Sequence, residues 1–120
     1  MNKRILIIED NEQNMYLLTF LLEKSGFEII QARNGRDGID NAARLQPELI
    51  LLDIQLPIMD GYAVAKELKA NESTRSIPIV AVTSYAMSGD RANILAAGCE
   101  GYIEKPINPD TFVDQITQFI

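Results

Sequence analysis

Leu49-Ile50-Leu51-Leu52-Asp53-Ile54-Gln55-Leu56-Pro57-Ile58-Met59-Asp60-Gly61 is the stretch that decides how this chain folds. Large apolar residues from Leu49 to Leu52, with no polar alternation, suit a strand buried on both faces, as in a parallel sheet. The run stops on a carboxylate, Asp53, and Pro57 and Gly61 bracket the loop that follows. Beyond the loop, Val64, Ala65 and Leu68 share one face of a helix. Strand, polar strand end, loop and amphipathic helix make one βα unit.

The same unit recurs on both sides. Upstream, Ile5-Leu6-Ile7-Ile8 is a continuous apolar run closed by Glu9-Asp10. Met15, Leu18, Leu21 and Leu22 follow at helical spacing, with Asn11 as N-cap, Glu12 in the first turn and Gly26 as the stop. Phe27 to Ala32 reads as a strand and Asn34-Gly35 as a turn. Ile39, Ala42, Ala43 and Leu45 form a helix that ends before Pro47. Downstream, a fourth strand covers 77–82, with Pro78 at its start. A helix over 90–97 stops at Gly98, and Gly101-Tyr102-Ile103 lies in a short fifth strand. Asn108-Pro109 reads as a cap followed by proline at the first helical position, with Phe112, Ile116, Phe119 and Ile120 on one face. This alternation predicts an α/β, doubly wound fold: a parallel sheet with helices on both faces and right-handed crossovers. With 120 residues the chain reads as one domain, 1–120.

Bulk composition narrows the function classes. Hydrophobic residues make up 47% and charged residues 23%, as expected of a globular domain. A net charge of −6 argues against direct nucleic-acid binding, which needs a basic face. The single cysteine, Cys99, permits no internal disulfide; it reads as a buried small hydrophobe in a cytoplasmic protein. The apolar run after Lys3-Arg4 is too short for a signal-peptide core or a membrane span, so no membrane contact is expected. With no histidine, His-based catalysis and His-ligated metals are excluded. Neither a Walker A motif nor GxGxxG is present.

Ligands of such sheets bind beyond the carboxyl ends of the strands. Those ends carry Glu9-Asp10, Asp53, Thr83-Ser84 and Lys105-Pro106. If the first and third strands are neighbours, three carboxylates share one cleft. Two like charges about 4 Å apart repel by roughly 4 kcal/mol at an effective dielectric near 20. A divalent cation relieves this, and an all-oxygen donor set suits Mg²⁺ or Mn²⁺ rather than zinc.

Ile8-Glu9-Asp10-Asn11, the stretch from Leu52 to Gly61, Val82-Thr83-Ser84 and Tyr102-Ile103-Glu104-Lys105-Pro106 together resemble the response-regulator receiver family, the CheY-like superfamily, and its stand-alone members in particular. The resemblance spans nearly the whole chain, in order. It implies a (βα)5 flavodoxin-like fold with strand order 2-1-3-4-5. Asp53 would accept a phosphoryl group from a phosphohistidine on a histidine kinase or histidine phosphotransfer protein. Asp10 would bind Mg²⁺ directly, Glu9 through a metal-bound water, with Asp53 and the backbone carbonyl of Gln55 completing the protein's share. Many family members carry Asp where this chain has Glu9. Lys105 would pair with the carboxylate and then with a phosphoryl oxygen, and the Lys105–Pro106 bond would be cis. Thr83 would offer its hydroxyl and Ser84 its backbone N–H to the phosphoryl group. Thr83 and Tyr102 would form the switch, biasing a surface of helix four, strand five and helix five that meets a downstream protein target, a phosphorylation-linked homodimer being one form of output. The chain would not be a multi-turnover enzyme. Gln55 and Tyr85 stand two residues after Asp53 and Thr83, positions that affect water access in the family; the bulk of Tyr85 implies slow hydrolysis.

Each of these residues also has a bland reading. Asp53 can be a strand-end Asp, Glu9 and Asp10 helix-entry charges, Lys105 a solvated lysine, Thr83 a strand-end hydrogen bonder and Tyr102 half-buried packing. Met59, Leu68, Phe112 and Ile116 read as core or interface, and Gly35 and Gly61 as turn residues. A haloacid-dehalogenase-like phosphatase would need a second Asp where Gln55 stands. A flavin-binding relative would need a hydroxyl- and Gly-rich loop where Glu9-Asp10-Asn11-Glu12 stands. A receiver belonging to a hybrid kinase or longer regulator is the alternative within the family.

Overall fold

A computed structural model describes residues 3–84 and 88–120. The elements are β1 (Arg4–Ile8), α1 (Glu12–Lys24), β2 (Glu28–Ala32), α2 (Gly35–Leu45), β3 (Leu49–Asp53), α3 (Gly61–Ala70), β4 (Ile79–Thr83), α4 (Ser88–Ala96), β5 (Gly101–Glu104) and α5 (Phe112–Thr117). All strand pairs are parallel, in the order β2-β1-β3-β4-β5, which is the flavodoxin-like doubly wound arrangement.

The apolar runs are explained by a sheet covered on both faces. Side chains alternate along a strand with period two. Ile5, Ile7, Leu49, Leu51, Val80 and Val82 therefore pack on one side with Met15, Leu18 and Leu22 of α1 and Phe112 and Ile116 of α5. Leu6, Ile8, Ile50, Leu52, Ile79 and Ala81 pack on the other with Ala42 of α2, Val64 and Leu68 of α3, and Ile94 of α4. The helix entries follow local chemistry: Asn11, Asn34 and Asp60 accept the N–H of Asn14, Asp37 and Ala63 respectively, capping α1, α2 and α3.

The differences from expectation are local. Asn34-Gly35 is not a free turn: Asn34 is the N-cap and Gly35 the first residue of α2. Gly61 likewise opens α3. A Cβ on Gly61 would lie 2.5 Å from the Ile54 Cα and 2.6 Å from the Asp53 carbonyl oxygen, so glycine is what lets the loop close against the end of β3. Strand β4 starts at Ile79, not at 77, because Ile77 N–H is turned to the Thr74 carbonyl and Pro78 has no N–H. Helix α4 runs Ser88–Ala96, shifted by one or two residues from 90–97. Helix α5 begins at Phe112, three residues after Pro109. Asn108 still acts as a cap, but of a turn: its side chain accepts Asp110 N–H, and its carbonyl accepts from Thr111 and Phe112. Phe119 and Ile120 lie past that helix yet still pack on the α1/α5 side of the sheet.

Candidate functional site

Strand order reverses between β1 and β3, since the chain goes out to β2 and crosses back over β1. That reversal opens a crevice at the carboxyl ends of these strands. The register aligns Ile8 with Leu52 and Asp53 with Val82, so Glu9, Asp53 and Thr83 emerge side by side. Glu9 N–H donates to Ala32 O at 3.0 Å, which continues the β1–β2 ladder one residue beyond the strand and holds this side chain over the crevice.

Asp53 is 3% exposed and Glu9 1% exposed, whereas Asp10 is exposed at the rim. The carboxylate oxygens of Glu9, Asp10 and Asp53 lie within 4.8 Å of one another. One oxygen of Asp53, Oδ1, accepts the Gln55 backbone N–H at 2.9 Å and lies 3.3 Å from Lys105 Nζ. Lys105 Nζ is also 3.7 Å from Glu9 Oε1. Lys105 is positioned by its own N–H, which donates to Thr83 O at 2.8 Å, and its bond to Pro106 is cis.

Three carboxylates face one ammonium group, and the surplus is felt most at Glu9. Its carboxyl is pushed up to about 7, chiefly by burial and then by the neighbouring Asp53 carboxylate; the Asn11 N–H and Lys105 only partly offset this. Glu9 Oε2 accepts the Asn11 N–H at 3.1 Å, but Glu9 Oε1 is buried with no hydrogen-bond partner. Buried polar atoms without partners are rare and mark an unfilled role. The donor set, all oxygen and partly buried, fits a hard divalent cation that keeps some water.

Thr83 is buried and Ser84 exposed at the end of β4. The Gln55 side chain, which the sequence marks only by its place two residues after Asp53, links them: Gln55 Nε2 donates to Thr83 Oγ1 at 2.8 Å, and Ser84 N–H donates to Gln55 Oε1 at 3.4 Å. No sequence signal points to this, because Gln55 and Thr83 are 28 residues apart and meet only through strand order. Tyr102 is half-buried on the edge strand β5, packed against the α2/α3/α4 side of the core, with the Arg91 guanidinium 5.4 Å from its ring centroid. It makes no contact with the carboxylate cluster among the described hydrogen bonds and ring contacts. Tyr85 lies outside the described residues. Leu68, Phe112 and Ile116 are buried core and Met59 packs against it, as expected. Cys99 is buried and its thiol is pushed up to about 12, mainly by burial. No helix among the described residues is long and apolar enough to cross a membrane.

The response regulator receiver domain family matches residues 5–117. Polar-differentiation response regulators DivK of Brucella anthropi and Brucella melitensis are 47% identical over 120 residues, spanning all of this chain and 98% of theirs. Among solved structures, the receiver domain of a sensor histidine kinase from Pseudomonas aeruginosa, with a magnesium ion coordinated in its active-site cleft, superposes with a TM-score of 0.91 at 32% identity, covering 99% of this chain and 98% of that one. The chemotaxis protein CheY4 of Vibrio cholerae shares the fold, with a TM-score of 0.95 at 22% identity over 100% of both chains. The family match, the full-length likeness to DivK and the acidic crevice at the switch point agree, and the chain belongs to the response regulator receiver family: it is a receiver domain of two-component signalling.

Proposed function

We propose that this domain, taken as residues 1–120, accepts a phosphoryl group from a phosphohistidine donor onto Asp53 in a Mg²⁺-dependent reaction and thereby switches a protein-binding surface. The observation that carries the reading is the buried Asp53 carboxylate at the end of central strand β3, 3.3 Å from Lys105 Nζ and clustered with Glu9 and Asp10. Receiver domains work with histidine kinases or phosphotransfer proteins and downstream targets, and they are not multi-turnover enzymes on outside substrates.

An oxygen of Asp53 attacks phosphorus. The P–N bond to the donor imidazole breaks, its electron pair returns to the ring, and an O–P bond forms an acyl phosphate. Asp10, Asp53 and the Gln55 carbonyl would hold Mg²⁺ (or Mn²⁺), with Glu9 acting through bound water. When bound, the ion offsets the carboxylate charge and that of the transferring phosphoryl group. Lys105 holds the carboxylate before transfer and takes up a phosphoryl oxygen after it. The Thr83 hydroxyl and the Ser84 N–H donate to the remaining oxygens, so the protein's part is positioning and charge stabilisation. Water later attacks the phosphorus, the O–P bond to Asp53 breaks, and inorganic phosphate leaves as Asp53 returns to a carboxylate.

Movement of Thr83 toward the phosphoryl group frees space for Tyr102, which leaves the Arg91 guanidinium and turns inward. This biases the surface of α4, β5 and α5 toward a protein target or a second copy of the chain. A cytoplasmic setting belongs to this reading, the one cysteine being reduced and buried.

The test is intact mass after incubation with Mg²⁺ and acetyl phosphate, for wild type and Asp53→Asn. The expected result is one phosphoryl group in wild type, and none in the variant or without Mg²⁺. A phosphorylated Asp53→Asn protein would overturn the assignment of the acceptor.

A further inference from the structure

The sheet ends at β2 on one side and at β5 on the other. A strand at an edge presents backbone groups with which a further strand can pair, and folds commonly blunt it. Strand β5 is blunted: it is four residues long, it begins at Gly101 under the Phe119 ring, and Pro106 follows it closely. Strand β2 is not. It pairs with β1 in unbroken register from Glu28 to Ala32 and contains no proline and no lysine. Glu28 N–H donates to Lys3 O, and Ala32 O accepts from Glu9 N–H, so the even-numbered residues turn their backbone groups to β1. Those of Ile29 and Gln31 therefore point outward from the edge, and no described hydrogen bond takes them up. Helix α1 flanks this edge: Gln31 Nε2 donates to Thr19 Oγ1 at 3.0 Å, and Arg33 pairs with Glu12. Tyr16 and Phe20 extend that stripe of α1 at i+4 spacing; they are 72% and 50% exposed, and their rings stack 6.3 Å apart. On the other face of the sheet, Asp37, Asp40, Asn41 and Arg44 of α2 line a depression beside Gln31 and Arg33.

Each of these elements is complementary to itself turned end for end. A two-fold axis normal to the sheet through Ile30 sets Ile29 opposite Gln31 of a second copy, an antiparallel pair that exchanges the outward N–H and C=O groups. The same rotation runs α1 and α2 antiparallel to their own copies. About the middle of α1, Tyr16 then faces Phe20 of the second copy. About the middle of the α2 stripe, Asp37 faces Arg44 and Asp40 faces Asn41, so no like charges meet. An acid at a helix start and a base at its end also suit the helix's own dipole. The dipole does not account for a stacked, exposed aromatic pair beside an unpaired strand edge. We propose that this face is a self-association surface: two copies join edge to edge through β2, antiparallel, into one continuous sheet, with Tyr16 and Phe20 packing across the axis on one face and Asp37 and Arg44 pairing across it on the other. The surface lies across the sheet from β5, so association here leaves α4, β5 and α5 free on both copies and does not depend on Asp53 accepting a phosphoryl group.

The test is sedimentation velocity of the whole chain in EDTA, with no phosphodonor, from about 5 µM to about 0.5 mM. Wild type should pass from monomer to dimer across that range. Gln31→Pro removes the outward N–H from each copy and leaves intact the β1 ladder, which uses the even-numbered residues; it should weaken association by at least about tenfold. Asp37→Arg and Arg44→Asp each set like charges opposite one another and should each weaken association by about tenfold. Mixed in equal amounts, these two variants should form a heterodimer about as readily as wild type dimerises, because residues 37 and 44 are again opposite in charge at both contacts. Recovery on mixing also shows that both variants fold, so the test decides even if Gln31→Pro does not fold. A wild type that stays monomeric to about 0.5 mM overturns the proposal and leaves the edge to an extended segment of another protein. Undiminished association in Gln31→Pro, or a mixture no more associated than its separate components, overturns the pairing through β2.

Discussion

Replacing Glu9 with Gln should stabilise the metal-free protein, even though it removes a residue from the candidate metal site. The Glu9 carboxyl is buried, faces Asp53 and titrates at about 7 instead of the ordinary 4.5. The native state therefore holds this proton more tightly than the unfolded chain. The stability gained from neutral Glu9 is fully present below about 4.5 and is lost as the pH rises through about 7. A displacement of about 2.5 pH units corresponds to at most about 3 kcal/mol. A Gln side chain is neutral throughout, and its amide can donate where Glu9 Oε1 now has no hydrogen-bond partner, only the Lys105 ammonium at 3.7 Å. Thermal and urea unfolding in EDTA should show the two proteins equal near about pH 5. The variant should be more stable by up to about 3 kcal/mol near about pH 8, or roughly 10 °C for a domain of this size. Titrating groups away from the site cancel in the difference, while Asp53 and Lys105, which face residue 9, titrate together with it. Adding Mg²⁺ should raise the stability of wild type far more than that of the variant, because the cation offsets repulsion that only wild type retains. A difference independent of pH, or a variant less stable near about pH 8, would refute the view that Glu9 is ionised only at a cost.

Gly61→Ala should destabilise the fold by about 2–3 kcal/mol, because the added Cβ meets backbone at 2.5–2.6 Å rather than a yielding side chain; a shift of the urea midpoint worth less than about 0.5 kcal/mol would contradict this. Ile58→Asn should stabilise by about 1 kcal/mol, since Ile58 sits at φ 66° and is fully exposed, giving strain without burial. A loss of stability on urea unfolding would show that its side chain contributes something in the folded protein. Cys99 should react with iodoacetamide at about pH 8 at least about a hundredfold more slowly in the native protein than in urea, given its burial and a thiol near 12; comparable rates would mean that the α4–β5 corner opens readily.

The units of this fold are legible in the sequence because they depend on local exposure. A strand covered on both faces has no polar position, which is why Leu49 to Leu52 and Ile5 to Ile8 read as continuous runs. The cap at Asn11 and the stops at Gly26 and Gly98 are equally local, and the two glycines take φ of 95° and 101°; the cap at Asp60 shows only in the structure. Helix α5 shows the edge of that legibility: Asn108-Pro109 marks a chain reversal correctly, but whether the next residues form a turn or a helix depends on how Phe112 seats in the core.

The candidate site divides in the same way. Glu9, Asp10, Asp53, Thr83, Ser84 and Lys105 are each visible as polar residues closing an apolar run, because a strand end is a local event. Which of them meet is a question of strand order, and pairing energies between segments 44 to 52 residues apart leave no periodic trace in either segment. Strand order, which the family resemblance implied but no residue pattern within the segments shows, places β1 beside β3, and the packed structure so crowds Glu9 against Asp53 that its carboxyl holds its proton to about 7. It also places β4 beside β3, and so turns Gln55, by type a plain loop glutamine, toward the hydroxyl of Thr83. Residue type and period determined what each segment could offer; desolvation and proximity, which exist only once the segments pack, decided what those groups do to one another.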